Sequence, residues 1–451
     1  MLRGQKRAFR EYCRQHRALY CLFSRWFERR SNRAMRKARR QWGIDDNLVV
    51  FSSYNMRTYD DNPRYICEAL HARRPRTKIV WLFRDVPAAR AKCEIPDWVR
   101  CVEWRTPLAF FYLGRARVVV DNWQKPDWLR LGRDQVYLFS PHHDRSFKSG
   151  GFLKKDRLYS HLVESRASVV MTGSDFNKRF LRLAARFRGP FLDVGLPRND
   201  LLLRDDPADE ARIRGRLHID VHTRILLYAP TYRDAERREG RREKVLLDIG
   251  HVLDVLEEAT HEHWICLARA HYLSVGLEMD GQEKSPRLVD VTGYPEMAEL
   301  LRVCDALISD YSCAAGDFAL RGKPIWLYVA DIDEYARHSR ALFVNPLDTP
   351  YWCAKTPFEL DALIRRTTPE RAARNCREIL EYYGAHESGA ASERAADYIC
   401  ARLDGDSGRE RNGRETPLPT PAWLWYNGAG GGLRSTPKVG PGTDRTKRGA
   451  P

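Results

Sequence analysis

The segment Asp305–Tyr335 reads DALISDYSCAAGDFALRGKPIWLYVADIDEY, and it decides the fold class of the chain. It begins with a short apolar strand, Ala306–Ile308, and then turns through polar residues into a helix that opens on small residues and carries Asp317. A second apolar strand, Pro324–Val329, follows the break at Gly322-Lys323. Strand, turn, helix and strand form a βαβ unit, whose turn points backbone N–H groups at a ligand.

Ser312 stands in this turn, and its role has two interpretations. Its hydroxyl and the neighbouring amides could hold a phosphate, helped by the positive end of the helix dipole. The alternative is that Ser312 only caps the helix, as serines often do. The turn alone favours capping, whereas the motifs found elsewhere in the chain favour the phosphate.

Outward from this unit, short apolar strands alternate with helical segments. In the first half, strands are predicted at Leu48–Ser53, Thr77–Phe83, Val99–Trp104, Arg117–Asn122, Gln135–Ser140, Ser168–Met171 and Phe191–Val194. In the second half they are predicted at Arg224–Tyr228, Trp264–Ala268 and Leu288–Val291, before the two of the opening segment. Such alternation indicates parallel sheets covered by helices on both faces.

Ligands bind at the carboxyl ends of parallel strands, so the loops at those ends are the candidate site. In the first half they are residues 123–126, 141–151, 173–175 and 195–200. In the second half, residues 229–234 and 269–271 follow two strands directly.

Periodicity alone supports two α/β domains. Their similarity suggests two Rossmann-like domains facing a cleft, the GT-B type of architecture. We expect a basic helix over residues 1–43, a first domain over 44–203 and a second domain over 204–403. The tail 404–451, rich in Gly, Pro, Thr and Arg, cannot bury a core and is expected to be disordered.

The net charge of +17 is concentrated at the ends of the chain. Residues 1–43 hold 14 Lys/Arg against two Asp/Glu, and their aromatic residues recur at steps of three and four along one helical face. Aromatic anchors opposite arginines are typical of a helix on an anionic membrane surface. The alternative is a helix packed on its own protein with a solvated basic face.

Other features exclude several classes of function. The body between residues 44 and 404 is almost neutral, so nucleic acid is not expected as a partner. Eleven scattered cysteines without a CxxC pair are typical of a reducing cytoplasm. No apolar run approaches the roughly 20 residues of a membrane span, and no signal-peptide pattern is present. P-loop and strand-borne GxGxxG motifs are lacking, and the acidic pairs Asp205-Asp206 and Asp331-Ile332-Asp333 stand on a linker and in a surface turn, so neither a metal nor a cofactor is expected.

Further motifs lie in collinear order over roughly residues 47–345. They are Ser53 with Asn62-Pro63-Arg64-Tyr65, Gly195-Leu196-Pro197-Arg198-Asn199-Asp200, Tyr228–Asp234, Arg269-Ala270-His271 and Ile308–Tyr335. With these motifs the chain resembles the CDP-glycerol glycerophosphotransferase family, the teichoic-acid and capsule polymerases and primases. Each motif is short, but their common order makes a chance match improbable.

The resemblance implies a transferase that moves glycerol phosphate, or a related polyol phosphate, from a CDP-activated donor such as CDP-glycerol. A hydroxyl of a cell-wall or capsular polymer, or of its lipid-linked precursor, attacks the glycerol-bearing phosphate, and CMP leaves. A histidine base serves the acceptor while N–H and cationic donors hold the pyrophosphate. The first domain is then the acceptor domain and the second the nucleotide-donor domain. Such an enzyme works peripherally on the cytoplasmic face of the membrane.

The implied base is His142, which matches the histidine of a Trp-His-Gly-Thr-Pro-Leu-Lys pattern in the family. Here the stretch reads Pro141-His142-His143-Asp144-Arg145-Ser146-Phe147, followed by Lys148. The Gly, Thr, Pro and Leu of the pattern are all replaced, and His143 stands where Gly allows the backbone more freedom. Four interpretations stay open: His142 is the base, His143 replaces it as the base, the site has been repurposed, or both are ordinary loop residues. His143 is also a candidate substrate-binding residue.

The second implied catalytic residue is His271, in Arg-Ala-His, which would donate to the phosphate. Arg269 could do so as well, through a bidentate fork. Arg198 is interpreted either as a phosphate clamp or as an ion-pair partner of Asp200. Further substrate-binding residues implied by the family motifs are Thr231, Ser312, Cys313 and Asp317. Asp317 would accept from a ribose or glycerol hydroxyl, or lie near the helix start for its dipole.

Two alternatives to the phosphotransferase stay open at this stage. The altered His142 loop is compatible with a GT-B glycosyltransferase that uses a nucleotide sugar. A divergent paralogue that binds nucleotide without turnover is the non-catalytic alternative. Release of CMP or UDP from the corresponding donors separates them.

Overall fold

The structure is a computed structural model that describes residues 17–123, 129–148, 167–184, 187–231, 243–244, 247–270, 277–278, 285–339 and 342–405. The tail expected to be disordered lies outside these residues from position 406 onward. So does His271.

The first half of the described chain forms a parallel sheet. Its strands are β1 Asp45–Ser52, β2 Lys78–Phe83, β3 Arg100–Glu103, β4 Ala116–Asp121, β5 Val136–Phe139, β6 Val169–Thr172 and β7 Phe191–Asp193. They lie in the order β3-β2-β1-β4-β5-β6-β7, with the chain reversing direction across the sheet between β1 and β4. These strands read as continuous Val, Ile and Leu runs because both faces of a parallel sheet are buried.

The second half forms another parallel sheet. Its elements are β8 Arg224–Ala229, β9 Glu243–Lys244, β10 Trp264–Ala268, β11 Leu277–Glu278, β12 Leu288–Asp290, β13 Ala306–Ser309, β14 Ile325–Tyr328 and β15 Trp352–Ala354. The sheet order is β12-β10-β8-β13-β14-β15, while β9 and β11 pair with each other. Every strand predicted from the sequence is present, and β9, β11 and β15 are additions. The fold is therefore α/β with two parallel sheets, as predicted.

Helices cover both sheets. In the described ranges they are α1 Arg17–Trp42, α2 Asp61–Arg73, α3 Val86–Lys92, α4 Pro107–Arg115, α5 Asp175–Ala184, α6 Asp200–Leu203, α7 Pro207–Leu217, α8 Ile249–Thr260, α9 Met297–Val303, α10 Ala314–Phe318, α11 Ile332–Glu334, α12 Pro357–Arg366, α13 Pro369–Tyr383 and α14 Ala391–Leu403. Several begin at a Thr or Asp cap followed by Pro. Such a cap satisfies a free N–H, and Pro needs none at that position.

Helix α1 packs on its own protein along the part whose side chains are described. Met35 is buried against Gly114, where any side chain would collide with the Met35 backbone, and Phe27 meets the Phe110 ring edge-on at 5.9 Å. The opposite face is solvent-exposed and carries only cations as charged groups: Arg25, Arg29, Arg30, Arg33, Arg36, Lys37 and Arg40. The aromatic positions before residue 25 lie outside the described side chains. Among the described helices, none has the length and apolar character of a membrane span.

The two sheets share a hydrophobic core and are tied together by backbone contacts. Phe343 N donates to Phe147 O at 2.7 Å, and His386 N donates to Gly173 O at 2.7 Å. Helix α14 follows the second sheet in the chain but packs on α2, with Ile399 buried among first-sheet residues. The chain therefore returns to the first sheet at its end. The domain boundaries given above stay predictions.

Candidate functional site

The carboxyl ends of the two sheets face each other, and loops from both meet there. The thiol of Cys313, just after β13, lies 3.4 Å from the carbonyl oxygen of His142, which follows β5. The backbone N–H of Asp61, after β1, donates to Glu296 Oε2 across the same boundary at 3.1 Å. The loop after β5 and the turn after β13, both predicted to face a ligand, thus contact each other.

His142 is held in one orientation. Its Nδ1 lies 3.0 Å from the carbonyl oxygen of Asn122, which can only accept, so the ring proton sits on Nδ1. The Trp123 ring stacks on the imidazole at 5.1 Å and 15°, and the Tyr54 ring lies 5.3 Å away. Among the described residues, Nε2 has no hydrogen-bond partner. Burial lowers the pKa of His142, although the Asn122 carbonyl and the Asp61 charge oppose part of the shift. A neutral imidazole with an open Nε2 can accept a proton.

His143 has a different environment. Its ring meets Phe180 edge-on at 6.4 Å and His142 at 4.9 Å. Burial lowers the pKa of His143 to about 3, and the nearby His142 and Arg198 add to this effect. His143 is therefore neutral at physiological pH. A role in substrate binding stays a prediction.

Asp144 fixes the His142 loop to the first sheet. Its carboxylate accepts from Gly173 N at 2.9 Å, from Thr172 Oγ1 at 3.1 Å and from the Ser174 hydroxyl. These partners are the last residue of β6 and the two residues after it, so the carboxylate joins two neighbouring strand-end loops. Asp144 is one of the residues that depart from the family pattern. In this chain it holds the His142 loop against the end of β6.

Arg145, the next departure, is fully buried. Its Nη2 lies 2.7 Å from Asp317 Oδ1 in the second domain and 2.9 Å from Glu387 Oε1. Burial alone would lower the pKa of Arg145, but Glu387, Asp317 and Asp144 together raise it, so the guanidinium stays charged. The altered loop is thereby pinned to both domains. Sequence reasoning assigned no role to Arg145 or Glu387.

Arg198 and Asp317 extend this network. Arg198 Nε donates to Asp317 Oδ2 at 2.9 Å, and Nη1 donates to Asp61 Oδ1 at 3.1 Å. Asn199 Nδ2 donates to Asp317 Oδ1 at 3.2 Å. Both oxygens of Asp317 are thus engaged by protein groups, which favours a structural role over acceptance from a ribose or glycerol hydroxyl.

The suggested pairing of Arg198 with Asp200 is wrong. Asp200 instead accepts from the backbone N–H groups of Ala391 and Ser392, at 2.9 and 2.7 Å, and so caps α14. Arg198 is buried and turned toward Asp61 and Asp317. A phosphate-clamp role for Arg198 stays a prediction.

The predicted residues of the second domain stand at its strand ends. Thr231, after β8, donates its N–H to Asp310 Oδ1 at 2.9 Å. Ser312 Oγ accepts from Ala314 N at 3.3 Å, the capping contact of the simpler interpretation. Arg269, after β10, points toward the start of α9, with Nη1 3.3 Å from Met297 Sδ. Burial lowers the pKa of Arg269.

The site also contains groups that sequence reasoning did not single out. Asp61, Asn122 and Glu296 are all buried at the junction of the domains. Asn122 directly precedes the loop 123–126, which the sequence predicts to bind a ligand. Of these three residues it is therefore the easiest to predict from the sequence. In the described ranges, no three His, Cys, Asp or Glu side chains are grouped as metal ligands would be.

Comparison with known proteins agrees with this architecture. A family model described as CDP-Glycerol:Poly(glycerophosphate) glycerophosphotransferase matches residues 33–401. The chain is 28% identical to a teichoic acid poly(glycerol phosphate) polymerase of Staphylococcus epidermidis, over 79% of this chain and 51% of the relative. It is 27% identical to a teichoic acid glycerol-phosphate transferase of Staphylococcus aureus, over 66% of this chain and 78% of the relative.

The chain thus spans about half the length of the Staphylococcus epidermidis polymerase and more of the shorter transferase. Among solved structures, the wall teichoic acid polymerase TagF superposes with a TM-score of 0.69 at 22% identity, over 87% of this chain and 98% of that one. The present chain therefore shares with that structure the GT-B-like fold of two α/β halves. The family model covers far more than half of the sequence, and the chain belongs to the CDP-glycerol:poly(glycerophosphate) glycerophosphotransferase family.

Proposed function

We propose that the protein transfers glycerol phosphate, or a related polyol phosphate, from a CDP-activated donor to a hydroxyl of a cell-wall or capsular polymer or its lipid-linked precursor. In this reaction the acceptor oxygen forms a bond to the polyol-bearing phosphorus. The anhydride bond to the CMP phosphate breaks, and CMP carries away the bonding electron pair. The acceptor proton passes to Nε2 of His142.

One juxtaposition carries this proposal. His142, with Nδ1 held by Asn122 and Nε2 open, lies against the Ser312-Cys313 turn of the other domain. An acceptor bound on the first domain and a donor bound on the second would therefore meet at this imidazole. The family of the chain supplies the chemical class of donor.

In the same proposal, the second domain binds the donor. Thr231, Arg269 and the Ser312-Cys313 turn stand at the ends of neighbouring strands, where ligands bind in such sheets. His271 follows Arg269 by two residues in the sequence and is assigned to stabilise charge on the pyrophosphate. Cys313 gives the turn a weaker hydrogen-bond donor than a serine would.

The decisive experiment is nucleotide release by the purified protein. CDP-glycerol, CDP-ribitol and UDP-sugars are each supplied with a membrane fraction that contains acceptor, and CMP or UDP is measured. Acceptor-dependent CMP release from a CDP-polyol supports the proposal. UDP release would point to a glycosyltransferase, and binding without release from any donor would point to a non-catalytic paralogue.

We further propose that the protein works at the cytoplasmic membrane surface, held there peripherally by α1. The support is the exposed cationic face of that helix, which Arg29, Arg33, Arg36 and Arg40 share. Each such cation near an anionic leaflet contributes about 1 kcal/mol. Trp26, which is 54% exposed, lies beside this face, whereas the Trp42 ring packs edge-on against Phe111. Nucleic acid is still not expected as a partner.

A further inference from the structure

Asn122 has every one of its side-chain and carbonyl groups committed around His142. Its carbonyl oxygen meets Nδ1 of His142 at 3.0 Å. Its Oδ1 accepts the backbone N–H of Tyr54 at 2.8 Å, and its Nδ2 donates to Asp61 Oδ2 at 3.0 Å. The residue is fully buried. Its carbonyl therefore cannot rotate away from the imidazole without breaking two further hydrogen bonds.

Asp61 is held from both domains. Its own backbone N–H donates to Glu296 of the second domain, and its Oδ1 accepts from Arg198 Nη1. Burial alone would raise the pKa of Asp61, but Arg198 and the Tyr54 hydroxyl lower it below the ordinary range. The carboxylate therefore stays ionised beside His142.

The backbone is strained at Tyr54 and at Asp61, the two residues that the Asn122 side chain binds. Tyr54, Asn55 and Met56 have φ values of 39°, 59° and 63°, and Asp61 has 56°. Left-handed conformations cost non-glycine residues about 1 kcal/mol or more each, and persist where the surrounding contacts determine them. Here the strained turn places the Tyr54 ring against His142 and points the Tyr54 N–H at Asn122.

We propose that Asn122 and Asp61 are positioning residues for His142. Asn122 selects the tautomer that leaves Nε2 open, while Asp61 fixes Asn122 and places a negative charge near the imidazolium that forms when the acceptor proton arrives. This inference rests on the proposed function in that it takes His142 as the base. In this arrangement Asp61 acts on His142 indirectly. The carboxylate binds the Asn122 side-chain amide, and the backbone carbonyl of Asn122 binds the imidazole.

The groups that face His142 set the sign of the expected effect. Asp61 is the negative charge, Arg198 and Lys148 are positive, and His143 is neutral. The Tyr54 hydroxyl hydrogen-bonds to Asp61, and the Cys313 thiol lies against the His142 carbonyl oxygen. Both cations disfavour the imidazolium, so Asp61 is the group that offsets them.

The first test observes His142 directly, by nitrogen-detected NMR of histidine-labelled protein, with His142→Gln to assign the signal. We expect the Nδ1–H tautomer in the wild-type protein. In Asp61→Asn, which keeps the side-chain shape, the pKa of His142 should fall by roughly one pH unit, because an opposite charge nearby is removed. A dominant Nε2–H tautomer, or a His142 titration unchanged in Asp61→Asn, would overturn the proposal.

Asp200→Asn is the matched control. Asp200 is equally buried in the same half of the chain and accepts two backbone N–H groups, yet it faces α14. It should lose comparable stability while leaving the His142 signal unchanged. Asn122→Ala provides a second variant, in which the two tautomers should become mixed. An unmixed Nδ1–H signal in folded Asn122→Ala would overturn the role of that side chain.

Kinetics then separate this inference from the proposed function. With CDP-glycerol as donor, Asp61→Asn should lower kcat on the order of tenfold to a hundredfold, leave the donor KM nearly unchanged and move the acid limb of the pH profile toward lower pH. An unmoved acid limb would contradict the inference. If the NMR results hold but no CDP-polyol is turned over, the positioning of His142 stands and the proposed donor is wrong.

Discussion

Arg145 and Asp317 form an ion pair across the domain boundary, with side chains 0% and 5% exposed and Nη2 2.7 Å from Oδ1. Arg145 comes from the loop that carries His142, and Asp317 from the short helix after β13. The same guanidinium also reaches Glu387, which comes from the return crossing of the chain. One arginine therefore connects three separate segments at the site.

The first prediction is that Arg145→Met destabilises the protein by about 3–5 kcal/mol, because Glu387 is left buried without a counter-charge and Asp317 keeps only Arg198. Urea unfolding at pH 7.5 measures this. Burial raises the pKa of Glu387, and without Arg145 this carboxyl should have a pKa still further above that in the unfolded chain. The loss should therefore shrink as the pH falls toward 5, where the folded state takes up protons. Arg204→Met, at an exposed pair with Asp209, is the control and should stay within about 0.5 kcal/mol.

The second prediction concerns the two histidines. His142→Ala should abolish transfer and leave CDP-glycerol binding nearly intact, while His143→Ala should retain much of the activity. Because burial lowers the pKa of His142, the acid limb of kcat/KM should lie below about pH 6.5. Activity falls there because the base becomes protonated. Full activity in His142→Ala with loss in His143→Ala would exchange the two roles.

The third prediction addresses the donor side. His271→Ala should lower kcat by roughly a hundredfold, the size expected for one preorganised donor to developing charge. Ser312→Ala should be milder, because the backbone N–H groups of the turn remain. Single-turnover rates with saturating CDP-glycerol distinguish this from a loss of binding. Equal rates for His271→Ala and the wild type would remove His271 from the mechanism.

The fourth prediction is a pH dependence of stability. Burial raises the pKa of Asp60, and the nearby carboxylate of Glu296 adds to this effect. The folded state therefore binds a proton more tightly than the unfolded chain, so stability should decline as the pH rises above about 4 and through the raised pKa. Asp60→Asn keeps the shape of the acceptor for Ser53 and Thr58 and should flatten the decline. Urea midpoints between pH 5 and 9 test this, and parallel curves for both proteins would contradict it.

The fifth prediction concerns the membrane surface. Since Phe27 and Met35 bury one face of α1, deletion of residues 1–43 would uncover the first domain. The sharper test replaces Arg29, Arg33, Arg36, Lys37 and Arg40 by Gln, which keeps helix propensity. Co-sedimentation with anionic liposomes should weaken in this variant, and in the wild type at high salt, while binding to neutral liposomes should change little. Equal pelleting of variant and wild type would rule out this face as the tether.

Sequence patterns predicted the strands well because parallel strands are continuous apolar runs with clear breaks, as in Ala306–Ser309 and Trp264–Ala268. The strand-end loops also follow from that pattern, and His142, Arg198 and Ser312 lie in such loops. The short edge strand β15 lacks such a run and was missed.

The ionic network was beyond prediction for a different reason. Arg145 and Asp317 are 172 residues apart in the chain, and Glu387 reaches Asn199 over 188. No short-range spacing in the sequence indicates that the residues of these pairs come together in the fold. The family resemblance implied that Asp317 accepts from a ribose or glycerol hydroxyl, with a place near the helix start as the alternative, whereas in the structure Arg145 and Arg198 both pair with it.

Helix α14 returns to the first sheet, so the polypeptide passes between the two halves twice, once between Asp193 and Pro207 and again between Tyr383 and Ala391. When a single chain segment connects two halves of a protein, the halves can rotate relative to each other in any direction. Two crossings restrict the relative motion of the halves more than a single connection does. Glu387 lies in the second crossing and forms an ion pair with Arg145, so a displacement of one half relative to the other would be transmitted to the loop that carries His142.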